Sequence, residues 1–147
     1  MTGPGETLSI AFSWDLPHPP ARVWRALTEP ELLARWLMAT DLRPAVGEPF
    51  TFRQEPTPWW DGIVRGEVLE AEPDRRLRYT WRSGSGPNGV DTVVTWTLTA
   101  TPAGGTRLTL EQSGFLPGAA AAFEGAKQGW ERMAVELGRV LESLPGR

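Results

Sequence analysis

Trp59 and Trp60 stand side by side between Pro58 and Asp61, and core packing explains this pair least well. Neighbouring residues of an extended chain point to opposite faces, so one ring is expected to be exposed or to cover an opening. Loop aromatics of this kind close over a ligand or meet a partner surface. Packing across the end of a core is the plainer use. The pair belongs to a set of eight tryptophans in 147 residues, the compositional feature that says most about the interior. Each indole N–H and the hydroxyl of Tyr79 needs a partner when buried, and the backbone or a ligand can supply it.

The polar residues placed to face an apolar interior are Arg53, Asp61, Glu67 and Gln112. Gln112 continues the parity of Leu108 and Leu110 and so points inward near a strand end. Glu67 flanks the narrow Gly66. Either could orient a ligand or, if desolvated, act as a base; a position on the rim or in solvent is the bland alternative for all four. No nucleophile, base and orienting group can be assembled from spacing, so no catalytic residue is expected. The chain has no cysteine and a single histidine, His18. That removes disulfides and thiolate chemistry and leaves little for a His-based metal site or a Ser-His-Asp triad. Neither metal nor cofactor is expected. His18, set among prolines, reads as an exposed turn residue. A net charge of −3 offers no electrostatic footprint for nucleic acid or an anionic membrane. No apolar run approaches the ~18 residues of a membrane span, and the N-terminus lacks a signal-peptide pattern. A cytoplasmic location is expected.

The elements that must position these side chains are legible in order. Thr7 to Asp15 alternates, with Leu8, Ile10, Phe12 and Trp14 on one face, as in a half-buried strand. His18-Pro19-Pro20 breaks it and opens a short helix over Ala21 to Leu27. Thr28-Glu29-Pro30-Glu31 has capping-box spacing, with Thr28 as N-cap of a second short helix from Glu29 to about Leu37. Strands are expected at Gly47 to Gln54, Gly62 to Glu72, Arg75 to Arg82, Val90 to Thr101 and Thr106 to Phe115, with a further short one near Ala39 to Arg43. The breaks between them are proline- or glycine-marked turns. Gly118 to Leu144 then reads as one helix, with Phe123, Ala126, Trp130, Met133, Leu137, Val140, Leu141 and Leu144 in a stripe. At ~27 residues it would be ~40 Å long and must lie along a large apolar face. The expectation is an α+β fold: a curved antiparallel sheet of six or seven strands gripping the last helix, in one domain with residues 1–6 as a tail.

Several phrases in this order resemble the helix-grip superfamily, also called START-like or SRPBCC, and within it the branch of the activator of the heat-shock-protein-90 ATPase. They are Pro20-Ala21-Arg22-Val23-Trp24-Arg25-Ala26-Leu27-Thr28-Glu29-Pro30-Glu31 with Trp36, Gly66-Glu67-Val68-Leu69-Glu70, and Leu77-Arg78-Tyr79-Thr80-Trp81. Gly105-Thr106-Arg107-Leu108-Thr109-Leu110, Gly114-Phe115 and Gly129-Trp130 complete them. The resemblance runs from about Ser9 to Leu144. It implies a space between sheet and long helix, either packed or hollow; the function expected first is the binding of a hydrophobic or aromatic small molecule there, in a stress-response setting. Fold alone hosts many functions, so two alternatives stand beside it. One is a polyketide-cyclase-like enzyme with a pocket acid or base. The other is a co-chaperone-like interaction module with a homodimer or chaperone partner. The residues expected to touch a ligand are Trp14, Trp36, Phe52, Trp59, Trp60, Tyr79, Trp81, Trp96, Gln112, Phe123 and Trp130.

Overall fold

The computed structural model describes residues 8–58, 60–84 and 89–144. The first strand, β1, spans Leu8–Leu16, and two helices follow it directly, α1 over Pro20–Thr28 and α2 over Pro30–Trp36. Six strands come next: β2 (Ala39–Thr40), β3 (Pro49–Arg53), β4 (Ile63–Glu72), β5 (Arg76–Ser83), β6 (Val90–Ala100) and β7 (Thr106–Phe115). The long helix α3, Ala120–Ser143, closes the order. The strands form one sheet, β1-β7-β6-β5-β4-β3-β2, antiparallel at every junction. The α+β helix-grip architecture expected from the sequence is the one observed, and α3 packs against α1, α2 and β1.

Strict alternation puts the core on one face of the sheet. Leu77, Tyr79 and Trp81 of β5, Val94, Trp96 and Leu98 of β6, and Leu108, Leu110 and Gln112 of β7 are all buried. The opposite face carries Arg76, Arg78 and Glu70, which pair with one another at 3.4 and 3.5 Å. Gly66 sits opposite Phe50 in the β3–β4 register. A Cβ there would collide with the Thr80 carbonyl oxygen and come within 2.6 Å of Phe50 Cζ. Only glycine leaves room for this ring beside the Thr80 carbonyl.

Three local expectations are corrected. The capping box does not form: Glu29, not Thr28, is the N-cap of α2, and it makes no side-chain cap hydrogen bond. Pro30 forces the residue before it out of the helical region, so the break falls at Glu29 (φ −85°, ψ 120°). Thr28 stays in α1 and donates its hydroxyl to the Trp24 carbonyl at 2.8 Å. His18 is not an exposed turn residue. It is buried, its Nε2 lies 2.9 Å from Glu142 Oε2, and its carbonyl accepts from the Thr106 hydroxyl at 2.7 Å. The end of α3 lies over the β1–α1 connection, which sequence spacing could not show. Finally, α3 begins two residues later than its apolar pattern suggested, at Ala120. The tail expected over residues 1–6 lies outside the described residues. Among the described residues no helix is long and apolar enough to cross a membrane.

Candidate functional site

The N-terminal half of α3 does not close down on the sheet. Its inward positions are Ala122, Gly125, Ala126 and Gly129, spaced as one helical face, and none of them carries more than a methyl group. The C-terminal half presents Trp130, Leu137, Val140 and Leu141, all buried. The same helix is therefore packed at one end and stands off from the sheet at the other. The result is a cavity of about 340 Å³, bounded by Met38, Trp60, Trp81, Val90, Phe115, Trp130 and Met133, with Gln54, Ser83, Gln112 and Arg132 as polar lining. That volume lies at the small end of the ~300–1,000 Å³ typical of ligand pockets. Larger hollows exist at the rim of the sheet, such as one of about 720 Å³ beside Pro19, Glu72, Arg75 and Thr99, whose lining has no aromatic side chain.

The floor of the cavity is a continuous aromatic cluster. Trp81 and Trp130 meet at 5.5 Å between ring centroids. Trp130 meets Trp96 edge-on at 5.5 Å, and Trp96 meets Trp36 at 5.9 Å. On the other flank Phe52 touches Trp81 at 5.4 Å and Tyr79 at 6.0 Å. These separations are those of favourable edge and offset contacts. The interior is thus filled in its middle and hollow at one end.

A buried hydrogen-bond chain braces the junction of the two regions. Trp130 Nε1–H donates to Gln112 Oε1 at 2.7 Å, Gln112 Nε2 donates to Thr92 Oγ1 at 2.9 Å, and Thr92 donates to the Trp81 carbonyl at 3.1 Å. An indole N–H is a donor only, so it fixes which end of the Gln112 amide faces it. Trp96 Nε1–H donates to the Tyr79 hydroxyl at 3.0 Å, and Trp36 Nε1–H to the Ala26 carbonyl at 2.8 Å. Burial pushes the Tyr79 phenol well above its ordinary value, against a smaller opposing effect of the Trp96 hydrogen bond.

Of the residues expected to meet a ligand, the fold brings Trp60, Trp81, Gln112 and Trp130 to the cavity. Trp36, Phe52, Tyr79 and Trp96 are packed in the cluster beneath it. Phe123 lies on the flank of α3, edge-on to Phe115 at 5.4 Å with Lys127 Nζ over its ring. Trp14 is half-buried on β1, stacked on Phe12, and is not among the lining residues. Trp59 lies outside the described residues. Trp60 is half-buried and packed against the core. The polar candidates Arg53, Asp61 and Glu67 are exposed and absent from the lining. Arg53 Nε donates to Thr51 Oγ1, and Asp61 Oδ1 accepts from the Ile63 N–H. Sequence reasoning missed Met38, Phe115, Met133 and Arg132, along with the small residues of α3. The repeat of glycine and alanine every three to four residues in Ala122–Gly129 was the available signal, masked by alanine's other role as a helix former.

A long helix gripped by a seven-stranded antiparallel sheet, with two short helices after the first strand and a cavity at one end, defines a helix-grip domain of the SRPBCC type. The chain belongs to the family described as "Activator of Hsp90 ATPase homolog 1-like protein", which it matches over residues 17–142. It is 39% identical to protein MLL2253 from Mesorhizobium loti, over 95% of this chain and 100% of that one, with a TM-score of 0.86. It is also similar to CalU16 from Micromonospora echinospora, at 28% identity over 97% of this chain and 82% of that one, TM-score 0.73. DynU16, a protein of the dynemicin biosynthetic locus, is 29% identical with a TM-score of 0.74; 92% of this chain is covered but only 47% of DynU16. No curated protein matches the sequence.

Proposed function

We propose that this chain binds a hydrophobic or aromatic small molecule in the cavity between the sheet and the N-terminal half of α3. The observation that carries the reading is the row Ala122, Gly125, Ala126 and Gly129 facing Trp81 and Phe115 of the sheet, with the Trp130 ring of the same helix beside the row. Small residues on one wall and large aromatic rings on the other leave apolar space that water fills poorly. The similarity to DynU16, whose locus is biosynthetic, agrees with a small-molecule role. The acid–base enzyme reading has no group to rest on, because no Asp, Glu or His is among the described lining residues.

The test is native mass spectrometry on gently purified protein, with the neutral fluorophore N-phenyl-1-naphthylamine as a second probe. A bound mass that is lost on denaturation, or saturable fluorophore binding, is the expected result. Gly129→Leu should abolish either. A Cβ at Gly129 meets only the tips of Met133, at 3.4 Å, and Arg132, at 4.0 Å, so the variant can fold with its cavity filled. A bare chain that also ignores the fluorophore overturns the reading.

A further inference from the structure

The tryptophans of the packed cluster and those of the cavity differ in one respect. Trp36, Trp96 and Trp130 each place the indole N–H on a protein acceptor. Among the described residues, the N–H groups of Trp60 and Trp81 have no such acceptor, and that of Trp60 is also covered. The Arg132 guanidinium, at the same cavity, likewise makes no ion pair or hydrogen bond among the described residues. Each of these groups can only donate. No carboxylate is among the described lining residues, although acidic residues outnumber basic ones in the chain as a whole. The local balance is therefore opposite to the global one.

Resting on the ligand-binding reading above, we infer that the ligand is an amphipathic anion, an apolar ring-sized body carrying a carboxylate or an equivalent anionic oxygen. The body lies against Trp81, Trp130 and Phe115, and the anionic oxygen is drawn to Arg132. A guanidinium meets a carboxylate through two parallel hydrogen bonds, and an apolar wall beside the pair lowers the dielectric and strengthens it. The indole donors of Trp60 and Trp81 take further ligand oxygens. Trp60 must turn its ring to do so, because its N–H is covered.

Three probes of one shape separate charge from hydrophobicity: 2-naphthoate, its methyl ester and 2-naphthylmethylammonium, each titrated by calorimetry at low and high salt. The carboxylate is expected to bind at least ~10-fold more tightly than the ester and to lose that advantage in salt. Arg132→Gln should bring carboxylate and ester to within ~2-fold, leaving the ester unchanged, while Arg132→Lys should keep part of the preference. Arg132 is exposed, so these variants are expected to fold. Equal binding of ester and carboxylate, tighter binding of the ammonium, or indifference to Arg132→Gln overturns the anion while leaving the cavity reading intact. Binding of none of the three, together with no response to N-phenyl-1-naphthylamine, removes both.

Discussion

Trp130 Nε1–H donates to Gln112 Oε1 across 2.7 Å, and this one bond joins the middle of α3 to strand β7 through the buried core. The amide that the sequence pointed inward toward a ligand is in fact held by protein at both ends, by Trp130 and by Thr92. It serves as a brace at the edge of the cavity.

That brace sets the first prediction. Gln112→Met keeps the shape but strands the Trp130 N–H, a buried donor whose desolvation is no longer compensated. The variant should lose ~1–3 kcal/mol of stability, read from the midpoint of urea unfolding. A change under ~0.5 kcal/mol would mean that the amide is not structural.

The second prediction concerns the hollow end of α3. Nothing lies within 4 Å of where a Cβ would stand at Gly125, and glycine in a helix interior is poorer than alanine by ~0.5–1 kcal/mol. Gly125→Ala should therefore stabilise the protein by about that amount. Its thermal midpoint should rise while affinity for an apolar probe holds or falls. A lowered midpoint would contradict the open space described at this position.

Tyr79 is the only tyrosine of the chain, which makes the third prediction easy to read. Its folded-state pKa is raised above the ordinary 10.0 by burial. The folded state thus holds a proton that the unfolded state gives up. Stability from this group is complete below about pH 10 and declines above it, by ~1.4 kcal/mol per pH unit. Absorbance of tyrosinate near 295 nm should appear only together with loss of folded circular dichroism. A phenol that titrates near 10 in the folded protein would place the ring in contact with water.

Much of the site was legible because it depends on short-range periodicity. Alternation along β5 put Leu77, Tyr79 and Trp81 on the core face, and parity along β7 sent Gln112 inward; both follow from the pleat. The stripe on α3 was visible for the same reason, though its length is 24 residues rather than the full apolar run. The capping box failed where two local rules competed, because Pro30 constrains Glu29 more strongly than Thr28 attracts a helix start. Neither rule needed the fold, and weighing them was possible beforehand.

What the sequence by itself determined is the set of elements and the face each one buries, since side-chain direction is fixed by backbone geometry within a few residues. Only the tertiary structure decided which aromatic residues fill space and which enclose it. Trp96 and Trp81 sit on neighbouring strands with the same inward parity, yet one is sealed in the cluster and the other borders the cavity. The difference comes from where α3 crosses them: it meets Trp96 with the Trp130 ring, whereas above Trp81 it also offers Gly125, Ala126 and Gly129. The His18–Glu142 contact is of the same kind, a pairing across most of the chain that exists only once the end of α3 has docked. Distances between elements are set by the packing of all of them together, and no local pattern encodes that.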